Sequence, residues 1–169
     1  EGLRAADSAL VVLSGRSGVS VGTEQVFKFA KQKGVPIMFF VNKIDDDRAN
    51  YEKTLEQMKE VFGKGVTPFV YPIREDGEFK GFVDIVDMTA RRYEGQDRVD
   101  IPVPEGMEET IAPLRDMIME AIAETDDALM NKYFNGEDFT FDEIKKAIRK
   151  GVKDGSIYPV YCGSGQNNI

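Results

Sequence analysis

The chain has 169 residues, a formal net charge of −8, one cysteine and no histidine. That length suits one compact domain or a small domain carrying an insertion, and 41% hydrophobic with 31% charged residues is ordinary globular composition. Histidine acid–base catalysis, histidine metal ligation and an internal disulfide are excluded within the chain. The acidic balance disfavours broad contact with phosphate backbones, and no apolar run nears the ~20 residues of a membrane span.

Glu1-Gly2-Leu3-Arg4-Ala5-Ala6 reads as the end of a helix already under way, with no opening Met, and residues 163–169 read as a loop; both predict an excised segment of a longer protein. Ser8 to Ser14 is a short apolar run, as expected of a strand buried on both faces. Gly15, Ser17 and Gly18 form the next loop. Thr23 is the expected N-cap of a helix to about Lys33, with Val26, Phe27 and Ala30 on one face and Gly34 ending it. Val35 to Val41 is a second buried strand. Strand, helix and strand make a βαβ unit, which predicts a parallel sheet. A second helix, about Ala49 to Phe62, carries the apolar stripe Tyr51, Leu55, Met58 and Phe62.

From Val66 the pattern changes. Thr67 to Tyr71, Glu78 to Asp84 and Met88 to Tyr93 read as an antiparallel meander punctuated by Gly77 and Gly81. A helix follows over about Glu105 to Glu124, and Pro113 either kinks it or splits off its first turn. Asp126 or Asp127 caps a short helix to about Tyr133, and Asn135-Gly136 is a turn. Thr140 caps a last helix to about Lys150, which Gly151 and Gly155 break. Ser156 to Cys162 returns to the buried strand type. The organisation is therefore nested, with an α/β part over residues 1–64 and 157–169 and an inserted α+β part over residues 65–156.

The chemistry lies at two strand ends. Asn42-Lys43-Ile44-Asp45 follows the second strand directly, and in open parallel sheets ligands bind beyond the carboxyl ends of strands. Guanine offers two donors on its Watson–Crick edge, N1–H and the 2-amino group. One carboxylate, Asp45, accepts both as a charge-assisted bidentate pair. Adenine has no such donor pair, so the aspartate discriminates between the purines. The Asn42 amide addresses another edge of the base or ties neighbouring loops together, and the Lys43 stem can lie along the purine face. Cys162-Gly163-Ser164-Gly165 follows the last strand; there a backbone amide at Ser164 or Gly165 can approach guanine O6.

Asn42-Lys43-Ile44-Asp45 resembles the Asn-Lys-x-Asp guanine motif of P-loop GTPases. Residues 7–24 resemble the stretch after switch II in elongation factor G. Tyr71-Pro72-Ile73-Arg74-Glu75 with residues 79–86 resembles the opening of that family's inserted G′ domain. Ala147-Ile148-Arg149-Lys150-Gly151 resembles its end, and residues 159–164 its return to the guanine loop. The resemblance covers essentially the whole chain in order. It implies an α/β fold, an incomplete P-loop GTPase-type parallel sheet with an inserted α+β G′ subdomain. It also implies a cytoplasmic, ribosome-associated translational GTPase acting in translocation, with GTP or GDP and Mg²⁺ as ligands, Asn42, Lys43, Asp45, Ser164 and Gly165 at the base, and ribosomal stalk protein contacted through the insert. Rescue, recycling or ribosomal-protection GTPases of the same fold fit the same residues, as does a non-catalytic docking module for the stalk. Gly165 stands where the family commonly has Ala, and Gln166-Asn167-Asn168 where a Lys-Asn run is common.

No G-x-x-x-x-G-K-[ST] phosphate loop is present, so weak or undetectable GTP binding and no hydrolysis are expected of these residues alone, with no catalytic or metal residue among them. Glu105, Glu108, Glu109, Asp116, Glu120 and Glu124 form an acidic helix suited to a basic partner or to plain solvation. Asp45-Asp46-Asp47 reads as a solvated turn, Cys162 as a buried thiol, and Arg91-Arg92 as modest surface charge.

Overall fold

A computed structural model describes residues 6–95 and 97–169. The expected helix end at the start lies mostly outside them. The elements run in this order: β1 (Ala9–Ser14), α1 (Val21–Gln32), β2 (Ile37–Asn42), α2 (Tyr51–Phe62), β3 (Val66–Pro68), β4 (Val70–Glu75), β5 (Glu78–Asp84), β6 (Thr89–Glu94), β7 (Asp97–Ile101), α3 (Glu108–Ala123), α4 (Asp127–Phe134), α5 (Phe141–Asp154) and β8 (Tyr158–Cys162). They build a mixed α/β fold with two sheets. The first is parallel, in the order β1-β2-β8-β3; the second is antiparallel, β4-β5-β6-β7. Among the described residues no helix is long and apolar enough to cross a membrane.

The parallel sheet packs one face on α1 and α2. Ile37, Phe39 and Val41 of β2 point there and are buried, as are Val11 and Leu13 of β1 and Val160 of β8. Aromatic rings fill the layer: Phe39 stacks on Phe62 of α2 at 4.9 Å between centroids, Phe27 of α1 lies 4.5 Å from Phe62, and Tyr158 meets Phe27 edge-on at 5.2 Å. Such pairs add about 0.5–1.5 kcal/mol each beyond their buried area. The expectation of strands buried on both faces fails for β1 and β2. Leu10 is 61% exposed, Val12 55% and Met38 39%, because nothing among the described residues covers that side. A continuous apolar run reports hydrophobicity on both faces without reporting a partner for each.

The helix starts also differ. Ser20, not Thr23, caps α1, accepting a hydrogen bond from the Thr23 N–H. Val26, expected on the buried face, turns outward and is 41% exposed. Asn50 caps α2 in the same way, through the Lys53 N–H. In α5, Thr140 and Glu143 form a reciprocal capping box, and the helix continues to Asp154, past the stop expected at Gly151. A Cβ at Gly151 would stand 2.6 Å from Ile157 Cδ1, so the glycine lets the helix lie against the start of β8. Pro113 is accommodated inside α3.

The junction between sheets is displaced from its expected place. Val66–Pro68 does not join the meander; it pairs parallel to β8 in the first sheet. Phe69 is the joint: its N–H donates to Val160 O at 3.0 Å, and its carbonyl accepts from the N–H of Ile85, just past β5 of the second sheet, at 2.9 Å. The sheet's own division thus falls after residue 68 rather than 64. The antiparallel sheet has a further strand, β7, that the sequence pattern does not predict. Arg115 of α3 donates from Nη1 to Ile85 O at 2.9 Å and also to Val86 O, tying the helical layer to this sheet. Buried Ile111, Ile118 and Ile122 give α3 its inner face, while its acidic residues point outward.

Candidate functional site

Because β8 lies between β2 and β3, the last strand of the chain runs beside the second. Phe39, Phe40 and Val41 pair with Val160, Tyr161 and Cys162. The two loops predicted to address a base therefore leave adjacent parallel strands at the same edge. Gly163 locks them together: its N–H donates to Val41 O at 3.1 Å, and its carbonyl accepts from Ile44 N at 3.2 Å. A Cβ on Gly163 would lie 2.4 Å from Ile169 O and 3.0 Å from the Phe40 ring, so glycine is required by this approach.

Asn42 is the central tie. Its Oδ1 accepts from Lys43 N at 2.8 Å and from Gly165 N at 2.9 Å, joining residues 123 apart in sequence. Of the two roles open to this amide, the structure displays loop-tying. Lys43 holds a left-handed φ of 62°, a conformation costing a non-glycine residue roughly 1–2 kcal/mol. The turn sends Ile44 into the core, where it is 1% exposed, and leaves Lys43 exposed and Asp45 half-buried at the rim. The Asp45 carboxylate accepts from the Asn167 side-chain amide at 3.4 Å, a long contact.

Ser164 and Gly165 lie in the loop that follows β8, and both amides already have protein partners. Ser164 N–H donates to Ile169 O at 2.6 Å, and Gly165 N–H donates to Asn42. Ser164 is fully buried, and its hydroxyl accepts from Asn167 N at 3.2 Å. A Cβ on Gly165 would sit 3.4 Å from Asn42 Oδ1, an ordinary contact, so alanine fits there.

Sequence patterns missed three arginines around this loop. Asp46, expected in a solvated turn, accepts from Arg48 at 3.3 Å and lies 3.7 Å from Arg16. The Arg48 backbone N–H, and then its guanidinium, hold the Asp46 carboxyl below its ordinary range. Arg74, from β4, donates from Nη2 to Ile44 O and, at 3.1 Å, to Asp46 O. No spacing rule links position 74 to position 45; the link is a side-chain contact from the inserted sheet to the loop after β2. Nearby, a cavity of about 290 Å³ opens between α2 and the inserted sheet, bordered by Asn50, Glu52, Tyr71, Arg74 and Thr110. It lies beside the loop rather than over Asp45. Cys162 is buried, which pushes its thiol pKa up and makes it a poor nucleophile.

Comparison with known proteins adds two findings. The family model described as "Elongation factor Tu GTP binding domain" matches residues 1–169. A crystal structure of a protein from Thermus thermophilus is similar over 99% of this chain, with 36% sequence identity and a TM-score of 0.91. The chain spans 25% of that protein's length.

Proposed function

This chain belongs to the elongation factor Tu GTP-binding domain family, and we propose that it is the base-reading part of an elongation factor G-like GTPase that works on the ribosome in the cytoplasm. One observation carries this: a single amide, Asn42, ties the loops after β2 and β8 into one rim, with Asp45 beside the tie. A purine entering that rim meets Asp45 from its Watson–Crick side. The carboxylate accepts N1–H and the 2-amino group of guanine together and offers adenine no equivalent pair. The Lys43 stem covers the face of the base. Because the Ser164 and Gly165 amides are engaged within the protein, contact with O6 comes by sharing the Gly165 N–H or from a neighbouring amide. Mg²⁺, when bound with the nucleotide, supplies charge neutralisation at the phosphates; these residues contribute base selection. No phosphate-loop sequence stands among them.

The inserted part, residues 65–156, acts in this proposal as a G′ docking surface. Glu108, Glu109, Asp116 and Glu120 of α3 are exposed and suit a basic surface of the ribosome, and the ribosomal stalk protein is the partner that the elongation factor G-like reading gives the insert. Reversing Glu108, Glu109 and Asp116 to lysine in the full-length parent tests this. Ribosome-stimulated GTP turnover should fall by about tenfold or more at low salt, with GDP affinity unchanged. Unaltered stimulated turnover would remove the docking role and leave the base-reading role standing.

A further inference from the structure

Arg74 stands at the end of β4, beside an irregularity in the inserted sheet. Ile73 pairs with Gly81 but Arg74 pairs with Phe79, so β5 carries one extra residue, Lys80, at this point. Such a bulge re-aims neighbouring side chains, and bulges concentrate next to functional sites. Here the Arg74 guanidinium reaches back to the parallel sheet's loop. Its Nη2 carries two protons and donates to two carbonyls, Ile44 O and Asp46 O. Those two carbonyls bracket Asp45.

The neighbours of Asp45 are pinned from several directions. Ile44 has its side chain in the core and its N–H on Gly163 O. Asp46 has its carboxylate between Arg16 and Arg48. Among the described residues, the Asp45 side chain is held by the long contact from Asn167 alone. The direction of its carboxylate is therefore set by the backbone around it, where Arg74 holds the peptide unit before Asp45 through Ile44 O and the unit after Asp46 through Asp46 O, the latter shared with the Ala49 N–H at 2.9 Å.

We propose that Arg74 is a positioning residue for Asp45: from the inserted sheet, it orients the carboxylate that reads the base. This rests on the base-reading function proposed above. Lysine cannot reproduce the arrangement fully, because it lacks the planar nitrogen that splits its two protons between two fixed acceptors.

The test uses the full-length parent and compares GDP with inosine diphosphate, which lacks the 2-amino group that Asp45 would accept. For Arg74→Ala, the preference for GDP over inosine diphosphate should fall by about 5- to 20-fold while affinity for inosine diphosphate changes less than about twofold. Arg74→Lys should fall between the variant and the natural protein, and it carries the test alone if Arg74→Ala does not fold. Equal losses for both nucleotides, or an unchanged ratio, would overturn the proposal. Asp45→Asn separates the two failures. If it abolishes the preference while Arg74→Ala does not, Arg74 alone loses its role. If it leaves the preference intact, base reading by Asp45 fails, and the role of Arg74 fails with it.

Discussion

Asp45→Asn in the full-length parent should shift base preference from GTP toward XTP by about 10²- to 10⁴-fold. The carboxylate is assigned two charge-assisted hydrogen bonds to guanine, each worth roughly 1.5–3 kcal/mol, and every 1.4 kcal/mol or so is tenfold in affinity. The amide of asparagine keeps one acceptor and gains a donor. Xanthine presents a carbonyl where guanine presents its 2-amino group, so the new donor meets an acceptor. The substitution should leave the fold intact, since among the described residues the Asp45 side chain makes only the 3.4 Å hydrogen bond with Asn167. Displacement of a fluorescent guanine nucleotide by GTP and by XTP measures the change. An unaltered ratio would count against the assignment.

Phe39→Ala should destabilise the chain by about 3–5 kcal/mol, the range for removing a large buried aromatic. Phe39 is fully buried and lies at 4.9 Å from the Phe62 ring, 6.0 Å from Phe27 and 6.4 Å from Tyr158. It is the point where both helices and the strand that presents Asn42 meet, so its loss also loosens the support of the site. Met38, the preceding residue, faces the uncovered side and is 39% exposed. Met38→Ala should therefore change stability by less than about 1 kcal/mol. Urea unfolding of the two variants side by side checks this. A Phe39→Ala loss under about 1 kcal/mol would contradict the packing described.

The parts of this fold legible in the sequence are those set by local rules. Apolar runs and stripes mark β1, α1, β2 and α2 in order, because strand and helix periods are properties of a few neighbouring residues. Asn42 to Asp45 can be placed at a strand end for the same reason. What cannot be seen depends on partners distant in the chain. Val66–Pro68 looks like any β-rich segment, and only its pairing with β8 puts it in the parallel sheet. Gly151 resembles a helix stop until Ile157 is found against it. The exposure of Leu10 and Val12 depends on what lies over them. At the site, the amides of Ser164 and Gly165 look available in the sequence, whereas the folded loop commits them to Ile169 and Asn42. Arg74 reaches the loop across a junction between the two sheets that no motif spans.

The central claim is that Asp45 reads guanine at a rim tied by Asn42. A crystal structure of the full-length parent with GDP measures it most directly. Both Asp45 carboxylate oxygens should lie about 2.7–3.1 Å from guanine N1 and the 2-amino nitrogen, with Asn42 still bonded to the loop after β8. A guanine ring bound elsewhere, or bound with Asp45 still turned to Asn167 and out of reach of the base, would contradict it.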